Sequence, residues 1–154
     1  MDDFAIARAV HIMAVVLWVG GVAFITMTAM PAIRAGHAPR DRLGAFRRFE
    51  RVFVWQARLW VLLAGVSGFW MVWRAGLWQR FGEIGFWWMH AMVGIWLVFM
   101  TVLFVLEPLA LHRRMAASRT PEKDFARLET MHRALLTLLL GTIAGATLGA
   151  RGVL

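Results

Sequence analysis

Cysteine is absent from the 154 residues, which excludes disulfides, thiolate metal sites and Cys nucleophiles. Redox chemistry in this chain must therefore come from a bound cofactor or metal. Charge is scarce as well: 17% of residues are charged, against about 25% in a soluble domain. Lysine is almost missing, since 16 of the 17 basic residues are Arg, a bias that fits a GC-rich bacterial genome. What takes their place is hydrophobic: 60% of the chain, with a mean hydropathy of +0.64. The apolar residues are gathered into long runs broken by Arg-rich segments. About 20 residues cross the hydrocarbon core, so four spans use roughly 80 and leave only short loops. A sizeable extramembrane domain is excluded.

The runs are Phe4 to Met30, stopped by Pro31, then Val52 to Trp73, Ile84 to Leu111 and Ala134 to Ala150. These predict an all-α integral membrane four-helix bundle. It forms a single domain over 1–154, with helices at about 4–30, 52–73, 84–111 and 134–150. Trp55, Trp73, Trp78, Trp87 and Trp88 fall near the expected interfaces, as an aromatic belt does. The last run carries Gly141, Gly145 and Gly149, a small-xxx-small ridge that favours close helix approach and self-association. The first run follows an acidic Met1-Asp2-Asp3 start and is too long for a signal peptide, so it reads as a retained anchor.

Loop charge gives the orientation. The segments Arg34 to Arg51 and His112 to Arg133 hold six basic residues each, twelve of the 17. The loop between the second and third runs has only Arg74 and Arg80. Basic loops stay cytoplasmic, which puts both termini and residues 74–83 on the periplasmic side of a bacterial inner membrane. The same rule accounts for the net charge of +8 without nucleic acid.

Histidine inside a span needs a reason, because polar groups are costly there. His11 and His90 each lie about two turns in from the outer end of their helices, roughly 8–10 Å deep at 1.5 Å per residue. Two imidazoles on different helices at one depth are the arrangement that axially ligates haem b in a bundle. Arg8 shares the face of His11 and is placed to pair with a haem propionate, as are Arg74 and Arg80. Gly94, one turn beyond His90, leaves room for a flat macrocycle, and Trp18 and Trp87 lie on the faces of His11 and His90. The blander alternative is that each His simply bonds a carbonyl on a neighbouring helix, with the Trp and Gly residues packing. His37 reads as a solvated loop residue.

Two further clusters are weaker. At the basic end, Arg58 and Glu107 are ionisable groups near membrane depth, best tolerated as a pair. His112 and His132 are candidates there for a second haem or a metal. Met13, Met71, Met89 and Met92 accompany His11 and His90 in the outer half, and thioether with imidazole suits Cu(I). Methionine is equally the adaptable packing residue of apolar interiors.

Arg8-Ala9-Val10-His11-Ile12 followed by Trp18-Val19-Gly20-Gly21 resembles the first helix of the HemJ/CopD-like membrane proteins. Phe49-Glu50-Arg51 looks like the Glu-Arg segment before the second helix of HemJ. Trp88-Met89-His90 looks like the aromatic-apolar-His start of its third. The resemblance implies a four-helix fold and a haem b ligated by His11, with His90 as partner. One departure matters: Met92 stands where HemJ has a Lys two positions after the third-helix His, which argues against protoporphyrinogen oxidation. The expectation is a membrane b-type cytochrome exchanging electrons with a quinone or a redox partner protein. A copper-handling protein, an oxidase-like enzyme and a cofactor-free assembly subunit are the alternatives.

Overall fold

The computed structural model describes residues 3–111 and 118–150, and every regular element among them is helical. Four helical stretches are long and apolar enough to cross a membrane: Asp3–Gly36, Pro39–Arg74, Ile84–Pro108 and Pro121–Gly149. We label the α-helical segments α1 (Asp3–Phe24), α2 (Met30–Gly36), α3 (Arg42–Arg74), α4 (Trp87–Thr101) and α5 (Pro121–Gly149). α1 packs chiefly on α3, and α4 on α5. The shared core takes Ala14 and Trp18 from α1, Val61 and Ala64 from α3, Ile95 and Phe99 from α4, and Leu136 and Leu139 from α5. Outward faces are apolar too: Met27 and Val52 are each 70% exposed. A chain whose solvent is lipid gains nothing by hiding such side chains.

Helix lengths exceed the apolar runs. α3 has 33 residues, about 50 Å at 1.5 Å per residue, against roughly 30 Å of hydrocarbon. The excess lies at the Arg-rich end. There Met30, Leu43, Phe46, Phe125 and Leu128 form a second buried core, with Ile25 below them. Hydropathy marks only the part of a helix that faces lipid; this small core extends α3 and α5 about ten residues further. Where described, the segments expected as basic loops are thus largely helical.

Proline shapes two spans. The first helix does not stop at Pro31: it widens into a π turn over Ile25–Ala29, with the Met30 N–H bonding the Ile25 carbonyl, and continues to Gly36. The wider turn relieves the clash of a proline ring with the carbonyl four residues back. In the third span, Val102–Leu111 is π-helical around Pro108. A π-helix pairs each N–H with the carbonyl five residues earlier, so Pro108, lacking N–H, leaves the Leu103 carbonyl without that donor. Arg58 Nε donates to that oxygen at 3.0 Å. The same guanidinium donates to Glu107 Oε2 at 2.6 Å.

Glycines set the closest approaches, and tryptophans fill them. A Cβ on Gly65 would lie 2.5 Å from the Trp96 ring, one on Gly145 2.5 Å from Trp87, and one on Gly149 would run into the Trp88 ring. Two members of the α5 glycine ridge therefore receive indoles of the same chain, while Gly141 opens onto free space. Trp88 is only 6% exposed, so it belongs to this packing and not to an interfacial belt.

At the Arg-rich end Glu129 is buried, 4% of its side chain exposed, between Arg34 and Arg133. The arginines are half-exposed or more, so losing one costs less than about 1 kcal/mol. Replacing both with Ala leaves a buried carboxylate uncompensated. We expect a loss of about 2–3 kcal/mol, at the low edge for a broken buried pair, measurable by SDS titration of the detergent-purified protein. Additive losses from the two single variants would contradict this account.

Candidate functional site

His11 sits on α1 facing α3. Its Nδ1 lies 2.8 Å from the Ala64 carbonyl and 3.2 Å from Ser67 Oγ. A carbonyl only accepts, so Nδ1 carries the proton. In the neutral ring Nε2 then holds the lone pair, and it has no hydrogen-bond partner among the described residues. Ser67 completes the arrangement by donating to the Leu63 carbonyl, which leaves an oxygen lone pair toward Nδ1–H. The close seat requires a glycine: a Cβ on Gly68 would fall 3.1 Å from His11 Cε1. Ser67 and Gly68 were not singled out by the sequence. Their signal was a lone hydroxyl and a small residue, side by side, in an apolar run at the depth of His11.

His90 is placed differently. It is exposed, its Nε2 bonds the Phe81 carbonyl at 2.9 Å, and its ring meets Phe81 edge-on. By the same logic Nε2 carries the proton and Nδ1 the lone pair. The two histidines thus bond to different elements, α3 for one and the 74–86 connection for the other. Trp18 of α1 and Phe99 of α4 meet edge-to-face with centroids 4.9 Å apart. His11 is seven residues outward of Trp18 and His90 nine outward of Phe99, so their levels differ by only about 3 Å.

The remaining predicted residues divide between interior and exterior. Trp18 is buried at 4% exposure, and its Nε1 is a buried donor without a partner among the described residues. Leaving such a group unpaired costs about 1–3 kcal/mol. Arg8 is exposed and has no ion-pair partner among the described residues. By contrast Arg74 pairs with Asp3 at 3.1 Å, and Arg80 lies over the Phe86 ring at 4.8 Å. Gly94 is exposed with open space around it, on the same outward face as His90. Trp87 caps Gly145.

At the other end, His132 donates from Nδ1 to Leu128 and packs edge-on against Phe46. His112 lies outside the described residues. Among the described residues no group of three or more His, Asp or Glu is gathered as a metal would need. Met13 is 62% exposed while Met89 is buried, so these thioethers do not share a face.

The site's class is accordingly a polar spot on an all-helical, four-span scaffold: one oriented imidazole, one exposed imidazole at matching depth and one unpaired indole N–H. No known protein family, characterised protein or solved structure matches the chain.

Proposed function

We propose that this chain is a b-type haem protein of a bacterial inner membrane that passes single electrons, with His11 as one axial ligand and His90 as the other. One observation carries the reading: Nδ1–H of His11 is tied to the Ala64 carbonyl and Ser67 hydroxyl, leaving Nε2 as an oriented, unpartnered donor. A metal-binding imidazole commonly donates its Nδ1–H to a backbone carbonyl, which fixes the tautomer and raises ligand basicity. His90 would exchange its bond to Phe81 for the metal. An exposed neutral hydrogen bond contributes about 0.5–1.5 kcal/mol net, a small loss on ligation. Arg8 supplies a free cation for a propionate, and Trp18 a buried N–H. Haem, when bound, supplies the one-electron carrier; the protein supplies a dry site and two imidazoles. The matching depths and the resemblance to HemJ/CopD-like proteins support the same reading. Twelve basic residues at one end support placing that end in the cytoplasm, with the termini and the histidines toward the periplasm.

The purified protein should show a Soret band and, after dithionite, sharp α and β bands of six-coordinate haem b. His11→Ala should lose most of the haem, read as the pyridine haemochrome-to-protein ratio. His90→Ala should retain some haem in a five-coordinate state, and His37→Ala should match wild type. A colourless preparation that stays colourless after haemin is added defeats the proposal.

A further inference from the structure

A concavity of the fold lies away from both histidines. It is a groove of about 820 Å³ between α1 and α3, in the Arg-rich half, and it opens to the side where lipid lies. Gly20 and Gly21 form its floor on α1, and Val52 and Trp60 line it on α3. Gly20 is exposed, and a Cβ there meets nothing within 4 Å, so the space is open and not a packing seam.

Two polar groups break the apolar lining, Arg48 and Gln56. Neither has a hydrogen-bond or ion-pair partner among the described residues, and both are exposed. Arg48 lies where α3 leaves the apolar run, at headgroup level. Gln56 is eight residues deeper, about 12 Å along the axis, on the border of the hydrocarbon. A primary amide facing hydrocarbon without a partner is costly. Side chains of a helix lean toward its N-terminus, so both groups point to the Arg-rich surface.

We propose that this groove is a binding site for one anionic phospholipid of the leaflet at the Arg-rich end. The phosphate pairs with Arg48, an ester carbonyl accepts from the Gln56 amide, and an acyl chain lies over Gly20, beside the Phe53 ring that packs on Gly21. The guanidinium gives charge complementarity to a phosphate. The amide sits below it, where a diacyl lipid carries its esters, and the open surface at Gly20 gives room for a chain. Anionic headgroups also gather at basic membrane flanks. The proposal is independent of haem.

Native mass spectrometry of the full-length protein in detergent, titrated with phosphatidylglycerol or phosphatidylcholine of equal chain length, tests it. The wild type should retain one phosphatidylglycerol, at least about tenfold more tightly than phosphatidylcholine. Arg48→Gln should bring that ratio close to one. Gly20→Leu puts a side chain into the groove from a position whose Cβ meets no atom within 4 Å, so it should lose tight retention of both lipids while keeping the lipid-free melting temperature. Equal retention of the two lipids by wild type overturns the proposal. So does wild-type retention by either variant, or a groove shielded by a second copy of the chain.

Discussion

Replacing Arg58 with Met should lower stability by about 3–5 kcal/mol, the largest single-site loss expected in this chain. The guanidinium does two things at once: it donates to the Leu103 carbonyl and pairs with Glu107. Its charge also lies over the rings of Trp55 and Phe104, 4.9 and 5.6 Å from their centroids. Only 16% of the Arg58 side chain and 20% of Glu107 is exposed, and the medium outside is largely lipid. Met fills similar volume yet leaves a carboxylate and a backbone carbonyl with no donor in a low-dielectric place. Breaking a buried pair from one side costs this much because the remaining charge is stranded. The double variant Arg58→Met, Glu107→Met removes the stranded charge and should recover most of the loss, with the Leu103 carbonyl alone unsatisfied. SDS titration in detergent reads all three proteins. A double variant as unstable as Arg58→Met would show that stranded charge is not the cause.

The second large effect is expected at Gly65. In an isolated helix Gly→Ala is favourable by about 1 kcal/mol. Here the new methyl would meet Trp96 at Cε2, Cζ2 and Nε1, 2.5–2.6 Å away. That ring cannot swing aside freely, since its Nε1 donates to the Val61 carbonyl at 2.9 Å and Phe69 packs edge-on against it. Overpacking of a fixed ring costs about 1–3 kcal/mol and weakens a hydrogen bond contributing about 1 more. We therefore expect Gly65→Ala to destabilise by about 1–3 kcal/mol net, whereas Gly141→Ala, with open space around it, should be neutral or slightly stabilising. The same SDS titration, with indole fluorescence as a second probe of Trp96, distinguishes them. Equal behaviour of the two variants would remove the packing explanation.

Much of the scaffold was legible because lipid imposes a simple code. Four apolar runs gave four helices able to span, and scarcity of charge identified Arg58 and Glu107 as a pair before their 2.6 Å contact was seen. Run boundaries were less informative. Pro31 reads as a stop, yet a π turn carries the helix past it. α3 and α5 begin well ahead of their apolar runs because Phe46 and Phe125 bury each other's neighbourhood outside the hydrocarbon. The glycine ridge of the last span read as a surface for another copy; two of its three members hold Trp87 and Trp88 of this chain.

Composition and apolar runs alone determined the number of helices able to cross a membrane and the rarity of polar groups within them, since each depends only on transfer free energies along the chain. Which nitrogen of His11 is tied down, which carbonyl Arg58 rescues and which indole fills which glycine were decided only by tertiary structure. Those are matters of direction. A helical sequence fixes how far apart two side chains lie along its own axis, but the rotation of one helix against another selects the partner each side chain meets.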